Sequence, residues 1–243
     1  GGTTSGIDAT GADITPSGYS FNQTPGFSII AYTGNGTDDS QVPHGLGGVP
    51  HLIMVACRGG DLESHAMYHH SVATDPETDW LEIGEDNPPV DASDRWSDEA
   101  PTSVLFTLGS SHAVNKSSET YVAWCWKEIQ GYSKFGVYNG NGNADGTFVY
   151  TGFRPKMIIF KRIDRDGDGW QLFDTERSPY NETINRSQPN ENTADYASGN
   201  WIDILSNGFK QRGTPAGMNG SGATVVYMAW AEAPFVNSNG VPC

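Results

Sequence analysis

The residues best suited to chemistry in this sequence are three aspartates at alternate positions, Asp164, Asp166 and Asp168. Spaced carboxylates followed by a glycine are typical of loops that bind calcium. An EF-hand loop, however, needs a bidentate glutamate at its twelfth position, where this chain has Thr175, and helices on both sides, where the sequence predicts strands. Two interpretations are open: a calcium site, and a solvated turn in which Asp and Gly are ordinary residues.

Histidines also invite a metal interpretation, because imidazole is a common zinc ligand. His65, His69 and His70 lie close together in the sequence. On a strand, adjacent side chains point to opposite faces, so His69 and His70 diverge. Neither a cysteine nor an acidic residue recurs at ligand spacing around them, and the pattern favours structural histidines over a zinc site.

The sequence carries no motif of a hydrolase nucleophile, no zinc-protease motif and no glycine-rich phosphate loop. Ser111 and His112 are adjacent, but neighbours in a turn rarely form a nucleophile and base pair. A glycosidase needs only two carboxyl groups that are distant in sequence. We therefore expect a protein that is not an enzyme, with a polysaccharide-degrading domain as a remaining alternative.

Aromatic residues in polar segments are the candidate binding residues. Long loops on a β scaffold often carry recognition, and we expect it in residues 84–101 and 179–200. An exposed aromatic ring in such a loop can stack on a sugar, whereas a buried one only packs. The candidates for sugar binding are Trp80, Trp96, Tyr180 and Trp201, and core packing is the alternative for each tryptophan.

Charge and composition exclude several classes of partner. The net charge of −15, from 29 acidic and 14 basic residues, disfavours binding to nucleic acid and to anionic lipid surfaces. No apolar stretch is long enough for membrane insertion. Three cysteines are too few for a disulfide framework, and Cys125, between two tryptophans, is expected to be a buried thiol.

An internal repeat predicts which elements position these residues. The segment 26–36 returns as 131–142 with one inserted residue, and 115–128 aligns without gaps on 219–232. Repetition of this length indicates two duplicated β modules rather than a solenoid. The predicted fold is all-β, with two tandem β-sandwich-like modules of the jelly-roll or lectin-like kind.

The expected domain boundaries follow from the repeat. Residues 1–25 are polar and are expected to form an N-terminal arm or linker, 26–128 the first module, 129–236 the second and 237–243 a C-terminal tail. Prolines and acidic residues argue against a helix in 88–101. The predicted strands are 28–33, 51–57, 66–70, 80–83, 104–108, 121–126, 133–138, 157–162, 170–173, 201–205 and 224–230.

Several phrases in the repeat resemble a protein family of tailed bacteriophages that infect marine bacteria. They include 32–36, 131–136, 205–210 and 231–235, and the resemblance covers residues 26–236. Members are described as structural or tail-fibre-like, without established catalytic residues. The aspartate-rich segment 164–169 departs from the family pattern, so the calcium question concerns this chain alone.

The resemblance implies a bacteriophage structural protein located in the virion, on the outside of the particle. We expect a tail-fibre or receptor-binding component that adheres to a host surface glycan, or alternatively a capsid decoration or head-fibre protein. Its partners would be copies of itself, in a trimer, together with other virion proteins. Calcium is the one candidate cofactor. The absence of an initial methionine also predicts processing or a longer parent chain.

Overall fold

The chain is built almost entirely from β-strands. The computed structural model describes residues 2–59 and 65–232. Strands make up 38% of the described residues and helices 7%, and the strand pairs among them are antiparallel. This confirms the all-β prediction. No described helix is long and apolar enough to cross a membrane.

The chain divides into two compact units. Unit 1 comprises Gly1–Ile83 and Pro89–Glu128, and unit 2 comprises Gly84–Pro88 and Ile129–Cys243. The strands of unit 1 are β1 (Gly18–Asn22), β2 (Phe27–Thr33), β3 (Ser40–Pro43), β4 (Leu52–Cys57), β5 (Ala66–His69), β6 (Asp79–Glu82), β7 (Val90–Asp91), β8 (Leu105–Leu108) and β9 (Thr120–Trp126). Those of unit 2 are β10 (Ser133–Asn139), β11 (Phe148–Tyr150), β12 (Pro155–Arg162), β13 (Gln171–Asp174), β14 (Ile202–Leu205), β15 (Gly208–Gln211) and β16 (Thr224–Ala231).

Single helical turns complete both units. Unit 1 contains a 3₁₀ turn at Pro76–Thr78 and the helices α1 (Ser93–Trp96) and α2 (His112–Asn115), and unit 2 contains α3 (Ala216–Asn219). The prediction that 88–101 is free of helix is wrong at α1. One turn fits between the prolines, and its last residue, Trp96, reaches the core.

Unit 1 is a two-layered sandwich. A seven-stranded sheet in the order β1-β2-β9-β4-β5-β6-β7 forms one layer, and the pair β3-β8 lies in the other. Alternate residues of β2, such as Ile30 and Tyr32, are buried against Val42 of β3 and Phe106 of β8 in one hydrophobic cluster. Cys125 on β9 is a free thiol in this cluster, as expected, and burial raises its pKa to about 12.

Unit 2 repeats the two-layered arrangement. Its sheets have the orders β10-β16-β12-β13 and β11-β15-β14. Phe209 of β15 joins the two layers, because its ring centroid lies 5.1 Å from that of Phe160 on β12, 5.4 Å from that of Tyr227 on β16 and 6.0 Å from that of Tyr138 on β10. These edge-on aromatic contacts form the centre of the core.

The two units share local contacts at equivalent places of the sequence repeat. The hydroxyl of Tyr32 donates to the Val114 carbonyl at 2.7 Å, and that of Tyr138 donates to the Met218 carbonyl at 2.9 Å. Both strand orders, β2-β9-β4-β5 and β10-β16-β12-β13, also correspond. The common origin by duplication stays a prediction from the sequence, with which these contacts agree.

Buried asparagines fix the turn that follows β2 and the turn that follows β10. Asn115 accepts a hydrogen bond from the Asn35 amide at 2.9 Å and donates to the Thr37 carbonyl at 2.7 Å. Asn219 accepts from the Asn141 amide at 3.1 Å and donates to the Asn143 and Gly213 carbonyls at 2.8 and 2.7 Å. The chain comes so close at these turns that glycine is required.

A methyl group at Gly34 would lie 2.4 Å from the Lys116 carbonyl oxygen, and one at Gly140 would lie 2.3 Å from that of Gly220. Both distances are far below van der Waals contact, so the two glycines have no tolerated replacement without a backbone shift.

The expected N-terminal arm is partly folded into unit 1. Residues 18–22 form β1, which extends the sheet beside β2, and Ile14 is only 5% exposed in the core. Thr3 pairs in turn with Phe21. The polar composition predicted a linker, but an open sheet edge supplies backbone partners that composition does not reveal.

The segment Gly84–Pro88 is held within unit 2 by a buried lysine. The Lys161 ammonium donates to the carbonyls of Asp86 and Asp168, at 2.7 Å each. Burial lowers the pKa of Lys161 to about 8, against the opposing influence of nearby aspartates.

Candidate binding surface

The connection between β13 and β14, residues 175–201, carries Tyr180, the most exposed aromatic side chain among the described residues of unit 2, and we call it the connecting segment. It has no regular helix. It is nevertheless fixed to the scaffold. Asn181 pairs with both backbone groups of Ile204, at 2.9 and 2.8 Å, Thr183 donates to the Ile202 carbonyl, and Ser187 exchanges two hydrogen bonds with Leu172. The segment is therefore anchored to the strands on either side of it.

Arg177 organises the start of the connecting segment. Its guanidinium donates to Asp174 at 2.6 Å and to Asp195 at 2.5 Å, and its carbonyl accepts from Asn185. Burial alone would raise the pKa of Asp174, but the hydrogen bonds from Arg177 lower it on balance. Hydrogen bonds from Ser187 and Arg177 also lower the pKa of Asp195. Both carboxyl groups are therefore held as carboxylates.

Two aromatic rings enclose an arginine at the end of the segment. The guanidinium carbon of Arg186 lies 4.2 Å from the Tyr196 ring centroid and 4.3 Å from that of Trp201. The Trp201 indole donates to the Ile184 carbonyl at 3.2 Å. Burial lowers the pKa of Arg186, which leaves it a cation at neutral pH. The cation–π contact with Arg186 favours one orientation of the Tyr196 ring.

The outer side of the connecting segment exposes three large apolar side chains. Tyr180 is 83% exposed, Ile184 45% and Tyr196 44%. A shallow depression of about 180 Å³ lies beside Tyr180 and Ile184 and is lined by residues 177–182 and Ile184. The backbone of Gly199 packs on the Trp201 indole, so Trp201 supports the surface rather than providing its free ring face. Tyr180, Ile184 and Tyr196 form what we call the aromatic surface.

Trp80 and Trp96, predicted as sugar-binding residues, are buried. Trp80 is 8% exposed and lies under the Arg95 guanidinium, 4.1 Å from the ring centroid. Trp96 is 2% exposed and packs edge-on against Tyr68 in the core of unit 1. Neither indole offers a face to a ligand, so the core alternative holds for both.

The aspartate turn between β12 and β13 is occupied by arginines. Arg162 donates two hydrogen bonds to Asp164, at 2.8 and 2.9 Å, and lies 3.5 Å from Asp168, which also pairs with Arg165. Asp166 is exposed. Within residues 2–59 and 65–232, no group of three His, Cys, Asp or Glu side chains could hold a metal ion. The strands flanking the turn form a hairpin, and calcium binding stays an untested prediction.

The histidines near β5 pack on one another. The ring of His70 lies 5.4 Å from that of His69 and 4.7 Å from that of His51, centroid to centroid, whereas His65 is exposed. His69 is fully buried and its Nδ1 accepts from the Ser71 amide at 3.1 Å. These contacts agree with a structural role.

Sequence reasoning found Tyr180 and Trp201 but missed Ile184, Arg186 and Tyr196. The available signal was the presence of aromatic residues in the polar segment 179–200. The pairing of Arg186 with Tyr196 depends on a chain reversal that brings their backbones into hydrogen-bonding contact, at 2.9 Å in both directions. No spacing rule for a loop predicts such a reversal.

Comparison with known proteins identifies a family whose description assigns no function. A family model described as a domain of unknown function (DUF7483) matches residues 2–234. Neither the curated proteins nor the solved structures that were compared gave a match.

Proposed function

Since the chain belongs to the DUF7483 family, whose description assigns no activity, we propose from its own geometry that it is a non-enzymatic carbohydrate-binding protein. The aromatic surface, Tyr180, Ile184 and Tyr196, is the proposed contact. In line with the resemblance to phage structural proteins, the proposed setting is a tail fibre or receptor-binding component on a virion, and the proposed ligand is a host surface glycan.

The observation that carries the proposal is an exposed aromatic ring held by a rigid frame. Tyr196 is ordered by Arg186, and the segment around Tyr180 is tied to β14 through Asn181. An amphipathic tyrosine offers an apolar face and a hydroxyl, which suits the CH face and the hydroxyl groups of a sugar. Because the frame is ordered before binding, little conformational entropy is lost when a ligand binds.

The charges around the aromatic surface support binding rather than hydrolysis. Asp174 and Asp195 are kept ionised by Arg177, so they can accept hydrogen bonds from sugar hydroxyls. A glycosidase needs a general acid whose pKa is raised, and the pKa of each of these two carboxyl groups is lowered. The net charge of −15 favours a neutral over an anionic glycan.

The shallow depression beside Tyr180 fits a weak site, because pockets for tight ligands bury most of the ligand surface. Several copies of a weak site on one particle give high avidity without a tight single contact. A multivalent presentation is therefore part of the proposal.

The test is a glycan array probed with the full chain displayed on beads. We expect Tyr180→Ala and Tyr196→Ala each to reduce binding by about tenfold, and Tyr180→Phe to keep most of it, because the ring is retained. The matched control is Val49→Ala, since Val49 is 47% exposed and lies outside both candidate loops, 84–101 and 179–200. Equal binding by wild type and both alanine variants, or no binding to any neutral glycan, would contradict the proposal.

A capsid decoration or head-fibre protein is the second candidate. The observation that favours it is the edge of β11, where Phe148 is 45% and Tyr150 is 65% exposed. An assembly protein uses such surfaces for contacts between copies. A receptor-binding protein should lose attachment to host cells when the aromatic surface is changed, whereas a decoration protein should lose assembly on the particle when the β11 edge is changed.

A further inference from the structure

The outer edge of β11 has no backbone partner among the described residues. The Gln211 amide donates to the Thr147 carbonyl and the Thr151 amide donates to the Asn207 carbonyl, both at 3.0 Å. In an antiparallel pair these bonds recur at every second residue, so Val149 faces Phe209 of β15 as a hydrogen-bonded pair. Phe148 and Tyr150 consequently direct their N–H and C=O groups away from β15, toward solvent.

Two other sheet edges of unit 2 are covered by the connecting segment. In unit 2, Asn181 and Thr183 lie along β14, and Ser187 lies along β13. Covering an edge in this way prevents unintended strand pairing. The uncovered β11 therefore differs from these edges of its own unit.

Unit 1 shows what the equivalent edge binds. β3 pairs with β8 as β11 pairs with β15, with Val42 facing Phe106 where Val149 faces Phe209. The amides of Asp13 and Ile14 donate to the Gln41 carbonyl at 3.0 and 3.1 Å, and the Gln41 amide donates to the Asp13 carboxylate at 3.0 Å. The edge of β3 is thus occupied by a bend of the same chain at Asp13 and Ile14.

A second device protects β3. Its last residue, Pro43, has no N–H and cannot donate to a further strand. The equivalent residue of β11 is Tyr150, which keeps its donor. Unit 1 blocks the edge twice, whereas the described residues of unit 2 leave it open and place two exposed aromatic side chains there.

We propose that the β11 strands of two copies of this chain pair antiparallel about a two-fold axis at Val149, so that one sheet runs through both copies. In this register Phe148 lies opposite the partner's Tyr150, and their outward N–H and C=O groups satisfy one another. Both aromatic residues lie on one face of the sheet, so each ring meets a ring of the other copy, a favourable cross-strand pair. The strand is complementary to itself, and no other protein is required.

The charges at this edge are compatible with pairing. Lys210, opposite Phe148 on β15, forms an ion pair with Asp145. The remaining electrostatic repulsion between two copies comes from the net charge of −15 on each copy. Salt screens this repulsion, with a Debye length of about 8 Å at physiological ionic strength. Association should therefore strengthen as salt is added, in contrast to an interface held by ion pairs.

The contact is short and implies a weak dimer. Stable interfaces bury about 1,600 Å² in total, and a three-residue strand supplies only part of that area. Pairing of identical strands about a two-fold axis gives a dimer and not the trimer that the sequence resemblance predicts. Oligomeric state therefore tests the inference directly.

The experiment is sedimentation equilibrium of the full chain up to about 1 mM, together with the variants Tyr150→Pro and Tyr150→Lys. Proline removes the outward donor and reproduces the arrangement at Pro43. We expect a wild-type dimer that strengthens with salt, and association weakened by about tenfold or more in both variants. The matched control Val90→Lys, at another exposed apolar position of a strand, should dimerise as wild type.

Amide hydrogen exchange tests the register without a substitution. The N–H groups of Phe148 and Tyr150 should gain protection as concentration rises, while that of Val149, already bonded to β15, should not change. A wild-type monomer at about 1 mM, a trimer, or a dimer that Tyr150→Pro does not weaken would each overturn the proposal.

Discussion

Acidification should destabilise unit 1 through one buried histidine, His44. This side chain is fully buried, its Nδ1 accepts from the Leu46 amide at 3.2 Å and its Nε2 lies 3.2 Å from the Thr102 carbonyl. Only a neutral ring with its proton on Nε2 satisfies both partners, because a protonated Nδ1 cannot accept. Burial lowers the pKa of His44 to about 4, Lys127 adds to the shift, and the Thr102 bond opposes it.

The sign and size of the effect follow from linkage. The native pKa is below the unfolded value of 6.5, so between about pH 6.5 and pH 4 the unfolded chain binds a proton that the native chain does not. The stabilisation is fully present above the unfolded pKa and is lost as pH falls. Between about pH 7.5 and about pH 4.5 the loss amounts to about 2.5 kcal/mol.

The assay compares urea unfolding of wild type and His44→Asn at both pH values. Asparagine offers an acceptor for the Leu46 amide and does not titrate, and the carboxylates common to both proteins cancel in the difference. The free-energy gap between the two should shift by about 2.5 kcal/mol in favour of the variant at the lower pH. The exposed His112 supplies the control, His112→Asn. A gap that is the same at both pH values would refute the reasoning.

Three further predictions concern unit 2. Gly140→Ala should lower the free energy of unfolding by about 2 kcal/mol in urea melts, because the new methyl group collides with the Gly220 carbonyl, whereas Gly84→Ala, which meets no atom within 4 Å, should be nearly neutral. As pH rises from about 8 to about 10, the free energy of unfolding of wild type should increase relative to that of Lys161→Met, because the native pKa of Lys161, about 8, is below its unfolded value. A difference that does not change with pH would contradict this. Adding a chelator should leave the melting temperature unchanged, because Arg162 already pairs with Asp164 and Asp168; a lower melting temperature would restore the calcium interpretation.

Strands with strong apolar patterns were predictable from sequence, and strands defined by their neighbours were not. The run Ile158–Phe160 reads as a strand by itself and lies in β12. β1 has a polar sequence and forms a strand because the edge of β2 offers it backbone partners. β11 was not predicted because its three residues, which lie between glycine-rich turns, are too few to show a hydrophobic periodicity. Sequence therefore identifies the centres of the sheets better than their margins.

The candidate site was predictable as a region but not as a set of contacts. The polar, aromatic-containing segment 179–200 indicated a binding loop, and its exposed Tyr180 agrees with that interpretation. Trp80 and Trp96 stand in equally polar surroundings, yet the turn α1 directs Trp96 inward and Arg95 covers Trp80. Burial of a side chain depends on what packs over it, and that information is distributed over the whole unit.

The buried asparagine of unit 2 also bears on chemical durability. Asn219 precedes Gly220, the sequence context in which an asparagine side chain most readily cyclises onto the next backbone nitrogen and becomes an acid. Here its carboxamide is fully buried and its Nδ2 donates to two carbonyl groups, so cyclisation would have to break these bonds first. Conversion to aspartate would replace the Nδ2 donor by a carboxylate oxygen that faces the Asn143 and Gly213 carbonyl oxygens, and this repulsion would open the turn after β10. The rate of this reaction at Asn219 is therefore linked to how seldom the turn after β10 opens.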